Sequence, residues 1–132
     1  MFPSGIDLPE KAREGSRGMF ARVSTYEGPP EQMDEGINHA RQRILPAVRN
    51  IAGFSGVLFL ADRETGKALS ITLWESEQAL RDSEEEAGRL RQESAEAGGE
   101  TIVGVERYEV PIFEVSLTGG EEKGLMDRLT GR

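Results

Sequence analysis

The feature that most constrains the fold of this chain is an apolar run at residues 53–61 that turns back through a polar loop. The run, GFSGVLFLA, is apolar on both alternating faces, so we expect a strand that is buried on both sides. The loop at 62–67 contains Gly66, which suits the left-handed position of a hairpin. The returning segment at 68–74 alternates between apolar and polar side chains. These segments predict an antiparallel hairpin.

A strand and a helix precede this hairpin. Residues 19–26 mix β-branched, aromatic and polar side chains and stop at Gly-Pro-Pro, which predicts a first strand and a turn. Apolar side chains at helical spacing between residues 33 and 44 predict a helix. We expect Pro46 to end or kink it, because proline disfavours the α conformation in the residue before it. Gly36 lies inside this helix, where it predicts a close approach to a neighbouring backbone.

A second helix and a last strand follow the hairpin. Ser76 is a good N-cap for a helix that runs to about Ala97 and ends at a Gly-Gly pair. Residues 101–115 predict a long final strand. Pro111 cannot donate to a strand ladder, so we expect its part of the strand at an edge, a bulge or a bend.

The predicted order, β-α-β-β-α-β, favours an α+β fold of the ferredoxin-like type, an antiparallel four-stranded sheet with both helices on one face. The helices leave the other face of the sheet uncovered, yet the second strand is apolar on both sides. On that strand Phe54, Leu58 and Leu60 oppose Val57, Phe59 and Ala61. The simplest cover for the bare face is an identical sheet, so we expect a homodimer that forms a dimeric α+β barrel.

Length and charge limit the remaining classes. A chain of 132 residues fits one domain, which we assign to 19–115 between an N-terminal arm at 1–18 and a C-terminal tail at 116–132. The formal net charge of -8 argues against nucleic-acid and anionic-membrane partners. The chain has no cysteine, which excludes disulfides and thiolate catalysis. The first residues do not resemble a secretory signal, so we expect a cytoplasmic protein.

Three short motifs resemble the antibiotic biosynthesis monooxygenase (ABM) domain superfamily. They are the run LWESEQAL at 73–80, the strand-turn-helix opening around 28–30, and the GFSG entry to the second strand at 53–56. The resemblance covers roughly 19–115 and implies a dimeric α+β barrel whose final strands often reach across to the partner. Members of known chemistry oxidise polycyclic phenols to quinones without metal or flavin, or bind and degrade haem.

The chain departs from both active patterns of that superfamily. Quinone-forming members place an asparagine four residues before the tryptophan that matches Trp74, and here that residue is Ser70. Haem-degrading members use an asparagine on the first strand and a histidine in the second helix, and this chain has neither. We therefore expect no haem degradation and no cofactor.

Trp74 has two interpretations. The resemblance implies that it lines a cleft between sheet and helices, where its ring is a stacking wall and its indole N–H a donor. The alternative is a core aromatic that closes the corner between strand and helix. If the cleft exists, we expect Ser24, Ser70 or Thr72 to point into it.

Arg22 and Tyr26 share one face of the first strand with Ser24. A buried Arg22 needs a carboxylate, for which Glu106 and Glu109 are the candidates, or else it binds an anionic ligand. His39 is the only histidine and is expected on the helix flank or in water, although a pocket role stays open. One histidine and scattered carboxylates predict no metal site.

Two functions remain open. The first is a cofactor-independent monooxygenase that acts on a small aromatic or otherwise oxidisable molecule. The second is a non-catalytic barrel that binds a small apolar or aromatic ligand or has a structural, stress-associated role. The missing asparagines favour the second function, whereas Trp74 favours the first.

Overall fold

A computed structural model describes residues 18–116, so most of the predicted arm and tail, 1–17 and 117–132, lies outside the described residues. The core of the fold is a four-stranded sheet in the order β2-β3-β1-β4, with every neighbouring pair antiparallel. The strands are β1 (Phe20–Glu27), β2 (Phe54–Ala61), β3 (Lys67–Trp74) and β4 (Thr101–Glu109). This topology confirms the predicted α+β, ferredoxin-like fold.

Two helical connections cross one face of the sheet. The first comprises a 3-10 turn (Pro30–Gln32), α1 (Met33–His39), a π-helical segment (Ala40–Ile44) and α2 (Leu45–Val48). The second comprises α3 (Glu77–Asp82) and α4 (Glu84–Gly98). Helix α1 packs against α4, because both helical connections cover the same face of the sheet and share its core.

The register of the two central strands places a polar row under the helices. Across β1 and β3, Arg22 is opposite Thr72 and Ser24 is opposite Ser70. Side chains alternate along a strand, so Tyr26 lies on the same face. Arg22, Ser24, Ser70 and Tyr26 are all buried there. The central strands thus present hydrogen-bonding groups, rather than only apolar ones, to the helical layer.

The apolar core fills one end of this interface. Trp74 is fully buried, with 0% of its surface exposed, and packs with Ile44, Val48, Leu80 and Leu90. Burying one large apolar side chain of this kind contributes about 1.5–3 kcal/mol. The core therefore anchors both helical connections to the end of β3.

Pro46 was expected to end or kink the first helix, and the first of these two outcomes is wrong. Leu45 keeps α geometry (φ −59°, ψ −47°), and the helix continues to Val48. The preceding segment, Ala40–Ile44, is π-helical instead. Wider turns of this kind accommodate the missing N–H and the ring of proline without breaking the helix.

Strand β2 is not buried on both faces, contrary to the sequence prediction. It lies at an edge of the sheet, and Leu58, Phe59 and Leu60 are 48%, 42% and 45% exposed. The hydrophobic run signalled a strand correctly, but its position in the sheet depends on the whole topology. A long, apolar edge strand is a surface to which another chain readily binds.

Two other boundaries differ from the prediction. The second helix divides at Ser83, whose hydroxyl donates to the carbonyl of Leu80 at 2.8 Å. Strand β4 ends at Glu109 rather than at residue 115. The last contact to the sheet is the N–H of Val110, which donates to the carbonyl of Met19. The proline that follows has no N–H with which to continue the ladder.

Several local predictions are confirmed. Gly36 lies close to the backbone of α4, since a Cβ placed on Gly36 would lie 3.3 Å from the Cα of Gly98. Gly66 adopts a positive φ of 85° in the hairpin loop. Ser76 caps α3 by accepting a hydrogen bond from the N–H of Ala79 at 3.0 Å. Each of these residues is set by short-range geometry.

Candidate functional site

A small cavity lies between the polar row and the helices. Its volume, measured with a water-sized sphere, is about 40 Å3, which leaves room for about three waters. Five of its lining residues are polar side chains of the sheet: Arg22, Ser24, Tyr26, Ser70 and Thr72. Apolar side chains of α2, α4, the π-helical segment and β2 close the rest: Ile44, Val48, Val57, Phe59, Ala87 and Leu90. Helix α4 also contributes Arg91 and Ser94 to the lining of the cavity.

Arg22 is the dominant group of this cavity, and only 2% of its surface is exposed. Its Nη2 donates to the carbonyl of Leu80 at 2.8 Å, the hydroxyl of Ser83 at 3.1 Å and a carboxylate oxygen of Glu84 at 3.0 Å. Its Nε and Nη1 are buried and have no hydrogen-bond partner. Burial lowers the pKa of the guanidinium, although Glu84 opposes this effect. Arg22 therefore keeps unused donors inside the protein.

The carboxylate partner of Arg22 is Glu84, not Glu106 or Glu109, which corrects the sequence prediction. Glu106 is paired with Val23, so it lies on the opposite face of the sheet. Glu109 is exposed at the end of β4. Glu84 lies 62 residues from Arg22 in the chain, at the start of α4.

Glu84 connects the buried guanidinium to the protein surface. It also accepts a hydrogen bond at 2.6 Å from Nε of Arg107, which is 45% exposed. Arg107 and Arg22 together lower the pKa of Glu84 to about 2, with the hydrogen bond from Arg107 the largest cause. Glu84 is therefore ionised at neutral pH and offsets part of the charge of Arg22.

The hydroxyl groups of the cavity are partly paired with one another. The Tyr26 hydroxyl lies 3.3 Å from the Ser70 hydroxyl, and burial raises the pKa of Tyr26. Thr72 accepts a hydrogen bond at 3.0 Å from the indole N–H of Trp74. At neutral pH these groups are neutral, so Arg22 supplies the positive charge on this side of the cavity.

Trp74 stands beside the cavity but does not line it. Its ring meets Phe54 edge-on at 5.8 Å between centroids, and the guanidinium carbon of Arg22 is 5.6 Å from the ring centroid. This is within the range of a cation–π interaction. The ring of Trp74 thus packs against the guanidinium of Arg22. It lies in the core between strand and helix, as the core interpretation of Trp74 describes.

A larger groove adjoins the cavity. Its volume is about 270 Å3 by the same measure, close to the lower end of the roughly 300–1,000 Å3 that is typical of ligand sites. Tyr26, Phe59 and Ser94 line both the cavity and the groove. Burial raises the pKa of Glu100, which also lines the groove. The two spaces are therefore adjacent parts of one concave region.

His39 does not belong to this region. Its Nε2 lies 2.8 Å from Glu93 of α4, and Arg43 donates to the same carboxylate. His39 joins the two helices on their outer side, where 26% of its side chain is exposed. It has no contact that places it near the cavity.

The structure brings five of the seven sequence candidates to one cavity, while Trp74 lies behind it and His39 lies elsewhere. Whether these five bind a ligand stays a prediction. Sequence reasoning missed Ser83 and Glu84 as partners of Arg22, because no local signal links residues so far apart. Among residues 18–116, no group of three or more acidic or histidine side chains is arranged to hold a metal ion. Within the same range, no helix has the length and apolar character needed to cross a membrane.

Sequence comparison finds relatives of unknown role. No protein-family model matches the chain. The uncharacterized protein Rv2557 of Mycobacterium tuberculosis is 34% identical over 103 residues, which are 78% of this chain and 45% of that protein. The chain thus spans less than half the length of this curated relative, whose name assigns no activity.

Structural comparison finds the same fold in several solved proteins. A Streptomyces coelicolor monooxygenase from the gene ActVA-Orf6, solved with the ligand Nanaomycin D, matches with a TM-score of 0.54 at 18% identity, over 79% of this chain and 95% of that one. SnoaB of Streptomyces nogalater, a cofactor-independent oxygenase, matches with a TM-score of 0.53 at 17% identity, over 73% and 96%. A Caulobacter crescentus protein named as an antibiotic biosynthesis monooxygenase by inference matches at 0.52 and 19%, over 76% and 96%.

These likenesses define the class of the chain as an α+β protein of the ferredoxin-like type. Within that class it shares the fold of these three solved proteins, which is the fold that the sequence resemblance implied. At identities below 20% this evidence concerns the fold alone.

Proposed function

We propose that this chain acts in the cytoplasm as a cofactor-independent monooxygenase, which binds the oxyanion form of a small oxidisable molecule at Arg22. The observation that carries the proposal is that Arg22, which has two buried, unpartnered nitrogens, lines a small cavity together with Arg91, hydroxyl side chains and apolar groups. An unused buried donor costs about 1–3 kcal/mol, and a ligand oxygen would offset that cost.

The free donors of Arg22 favour an acceptor with a single oxygen. A guanidinium binds a carboxylate side by side either through Nη1 and Nη2 or through Nε and Nη2. Both arrangements need Nη2, which three protein acceptors already occupy. Nε and Nη1 are left to donate singly, which suits the oxygen of a phenolate or an enolate.

This geometry supports a simple role for Arg22 in oxygenation. A phenolate is more readily oxidised by O2 than a phenol, and a fixed positive charge in a dry cavity favours the anion. In the overall reaction a ring carbon loses hydrogen and gains one oxygen atom, giving a quinone, while the second oxygen atom leaves as water. The substrate supplies all the electrons, so no further reductant is required.

A second function, ligand binding without catalysis, is favoured by the environment of Trp74. Its ring is fully buried, and its N–H is already bonded to Thr72. Ser70 stands where quinone-forming members have an asparagine, and its hydroxyl lies within hydrogen-bond distance of Tyr26. In this alternative, Arg22 holds the same oxyanion but no oxidation follows.

We further propose that the working unit is a homodimer. The face of the sheet opposite the helices carries Leu58 and Leu60 of β2 beside Ile71 and Leu69 of β3, as the strand register shows. Leu58 and Leu60 are about half exposed in the single chain. A second copy of this face would cover them, which supports a face-to-face pair of sheets.

Phenol binding and oxygen uptake test the proposed function. Purified protein is mixed with a panel of phenols and hydroquinones, while Trp74 fluorescence and dissolved O2 are recorded. Arg22 lies 5.6 Å from the indole ring, so a bound anion should change the fluorescence. We expect binding and O2 consumption for at least one compound, both lost in Arg22→Met and retained in Arg63→Met, since Arg63 is an exposed loop residue that pairs with Asp34.

The outcomes separate the two functions. Binding without O2 consumption supports the non-catalytic alternative, and O2 consumption that Arg22→Met abolishes supports the oxygenase. If the folded protein neither binds any compound of the panel nor consumes O2 with it, both functions are ruled out.

A further inference from the structure

The cavity and the groove share one boundary, which bears on the shape of the ligand. Tyr26 and Phe59 of the sheet and Ser94 of α4 line both spaces. The π-helical segment also borders both, because Ile44 faces the cavity while Ala40 faces the groove. π-Helical turns occur often at functional sites, since they widen a helix locally. A ligand bound at Arg22 therefore has one adjoining space into which to extend.

The two spaces differ in size and in chemistry. The cavity, at about 40 Å3, admits an oxygen and the edge of a ring but not a fused polycyclic body. The groove, at about 270 Å3, is several times larger. Its walls are mainly apolar, although Arg41 and Glu100 also line it. The apolar lining residues include Met33, Ile37, Ala40, Leu45, Ala61 and Ala68. The polar cavity and the mainly apolar groove thus lie next to each other.

We infer that the ligand is a tailed oxyanion: a phenolate or an enolate whose oxygen binds Arg22 and whose apolar tail lies in the groove. This inference rests on the proposed function and specifies its substrate class. The positive charges of Arg22 and Arg91 favour an oxyanion, and the narrow cavity admits its oxygen and the edge of its ring. The apolar walls of the groove take the tail, because each buried methylene contributes about 0.8 kcal/mol.

A series of coloured phenols tests this inference. The probes are 4-nitrophenol and its 2-propyl, 2-hexyl and 2-nonyl derivatives, whose phenolate forms absorb visible light. Binding to the full chain is followed by this absorbance and by Trp74 fluorescence. We expect each added methylene to tighten binding by about threefold to fourfold until the groove is full. The neutral compound 2-hexyl-4-nitroanisole should bind at least tenfold more weakly than the matching phenol.

Two variants separate the head from the tail. Ala61→Phe fills the groove from an exposed position at the end of β2, and Val103→Phe is its control on β4, where 49% of the side chain is exposed. We expect Ala61→Phe to remove the gain from the tail and to leave the affinity for 4-nitrophenol unchanged. Val103→Phe should behave as the wild type.

The possible failures are distinguishable. Equal affinity for all tail lengths, with binding still dependent on Arg22, overturns the inference but leaves the proposed function standing. Tail-dependent binding that Ala61→Phe does not reduce also overturns it. If no nitrophenolate binds to the wild-type protein, both the inference and the oxyanion site of the proposed function fail.

Discussion

Replacing Arg22 by methionine should remove a binding group at almost no cost to the stability of the fold. Methionine keeps a flexible unbranched stem of similar length beside Trp74, so the substitution deletes the charge with little loss of packing. It also deletes the two buried nitrogens that have no partner. Its effect on the free energy of unfolding therefore measures what the charge contributes.

The contacts that Arg22 leaves behind indicate a small change. The Leu80 carbonyl still accepts the Ser83 hydroxyl at 2.8 Å, and Glu84 still accepts Arg107 at 2.6 Å. No buried acceptor is left without a donor, which is the usual source of a large loss. Removing one partner of a buried ion pair usually costs about 3–5 kcal/mol because the other charge stays buried and unpaired. Here Glu84 is 37% exposed and keeps its pair with Arg107, so this cost does not arise. We expect the free energy of unfolding to stay within about 1 kcal/mol of the wild type or to rise.

Urea unfolding, followed by circular dichroism at one fixed protein concentration, measures this change. Leu90→Ala is the control for sensitivity, since Leu90 is buried in the core and its truncation should cost about 2–5 kcal/mol. A loss of about 3 kcal/mol or more in Arg22→Met would refute the reasoning. Arg22 would then be a structural residue, and its unpaired nitrogens would not indicate a ligand.

Two further predictions follow from the charge network and the bare sheet face. The pKa of Glu84 is about 2 in the folded chain, below its ordinary value of 4.5, so it stabilises the fold above pH 4.5, and this contribution disappears as the pH falls towards 2. Solvent screening at a carboxylate that is 37% exposed limits the contribution to about 1 kcal/mol. In urea titrations at several pH values, Glu84→Gln should therefore lose less of its free energy of unfolding at acid pH than the wild type does. An equal loss in both proteins would contradict the assignment. For the homodimer, sedimentation should show a dimer for the wild type and for Arg81→Glu on the helical side, but a monomer for Leu58→Glu; a folded wild-type monomer at micromolar concentration would disprove it.

The fold was largely predictable because its signals are local. Ser76 caps a helix with its own side chain, and Gly66 supplies the positive φ of a hairpin, so both identify their elements from a few residues. The element order then restricts the topology to a split β-α-β arrangement. Alternation grouped Arg22 with Tyr26 along β1 and Ser70 with Thr72 along β3, and the strand register shows that these two groups share one face.

The errors arise where distant parts of the chain decide the outcome. The apolar run of β2 indicates a strand, but only the assembled sheet shows that it lies at an edge. The rule for residues before proline is statistical, and the π-helical segment at Ala40–Ile44 overrides it at Leu45. The pairing of Arg22 with Glu84 joins the centre of the sheet to the start of α4, which no spacing in the sequence reveals.

The polar row shows why the site is better assigned to Arg22 than to Trp74. Tyr26 and Ser70 lie within hydrogen-bond distance of each other, and Trp74 is satisfied by Thr72, so these groups have partners without a ligand. Among the buried side-chain nitrogens and oxygens of residues 18–116, only Nε and Nη1 of Arg22 lack a partner. Unused hydrogen-bonding capacity in a cavity is what a ligand can convert into affinity, whereas satisfied groups mainly shape its walls. An oxyanion that accepts hydrogen bonds from Nε or Nη1 of Arg22 would therefore give these nitrogens a partner.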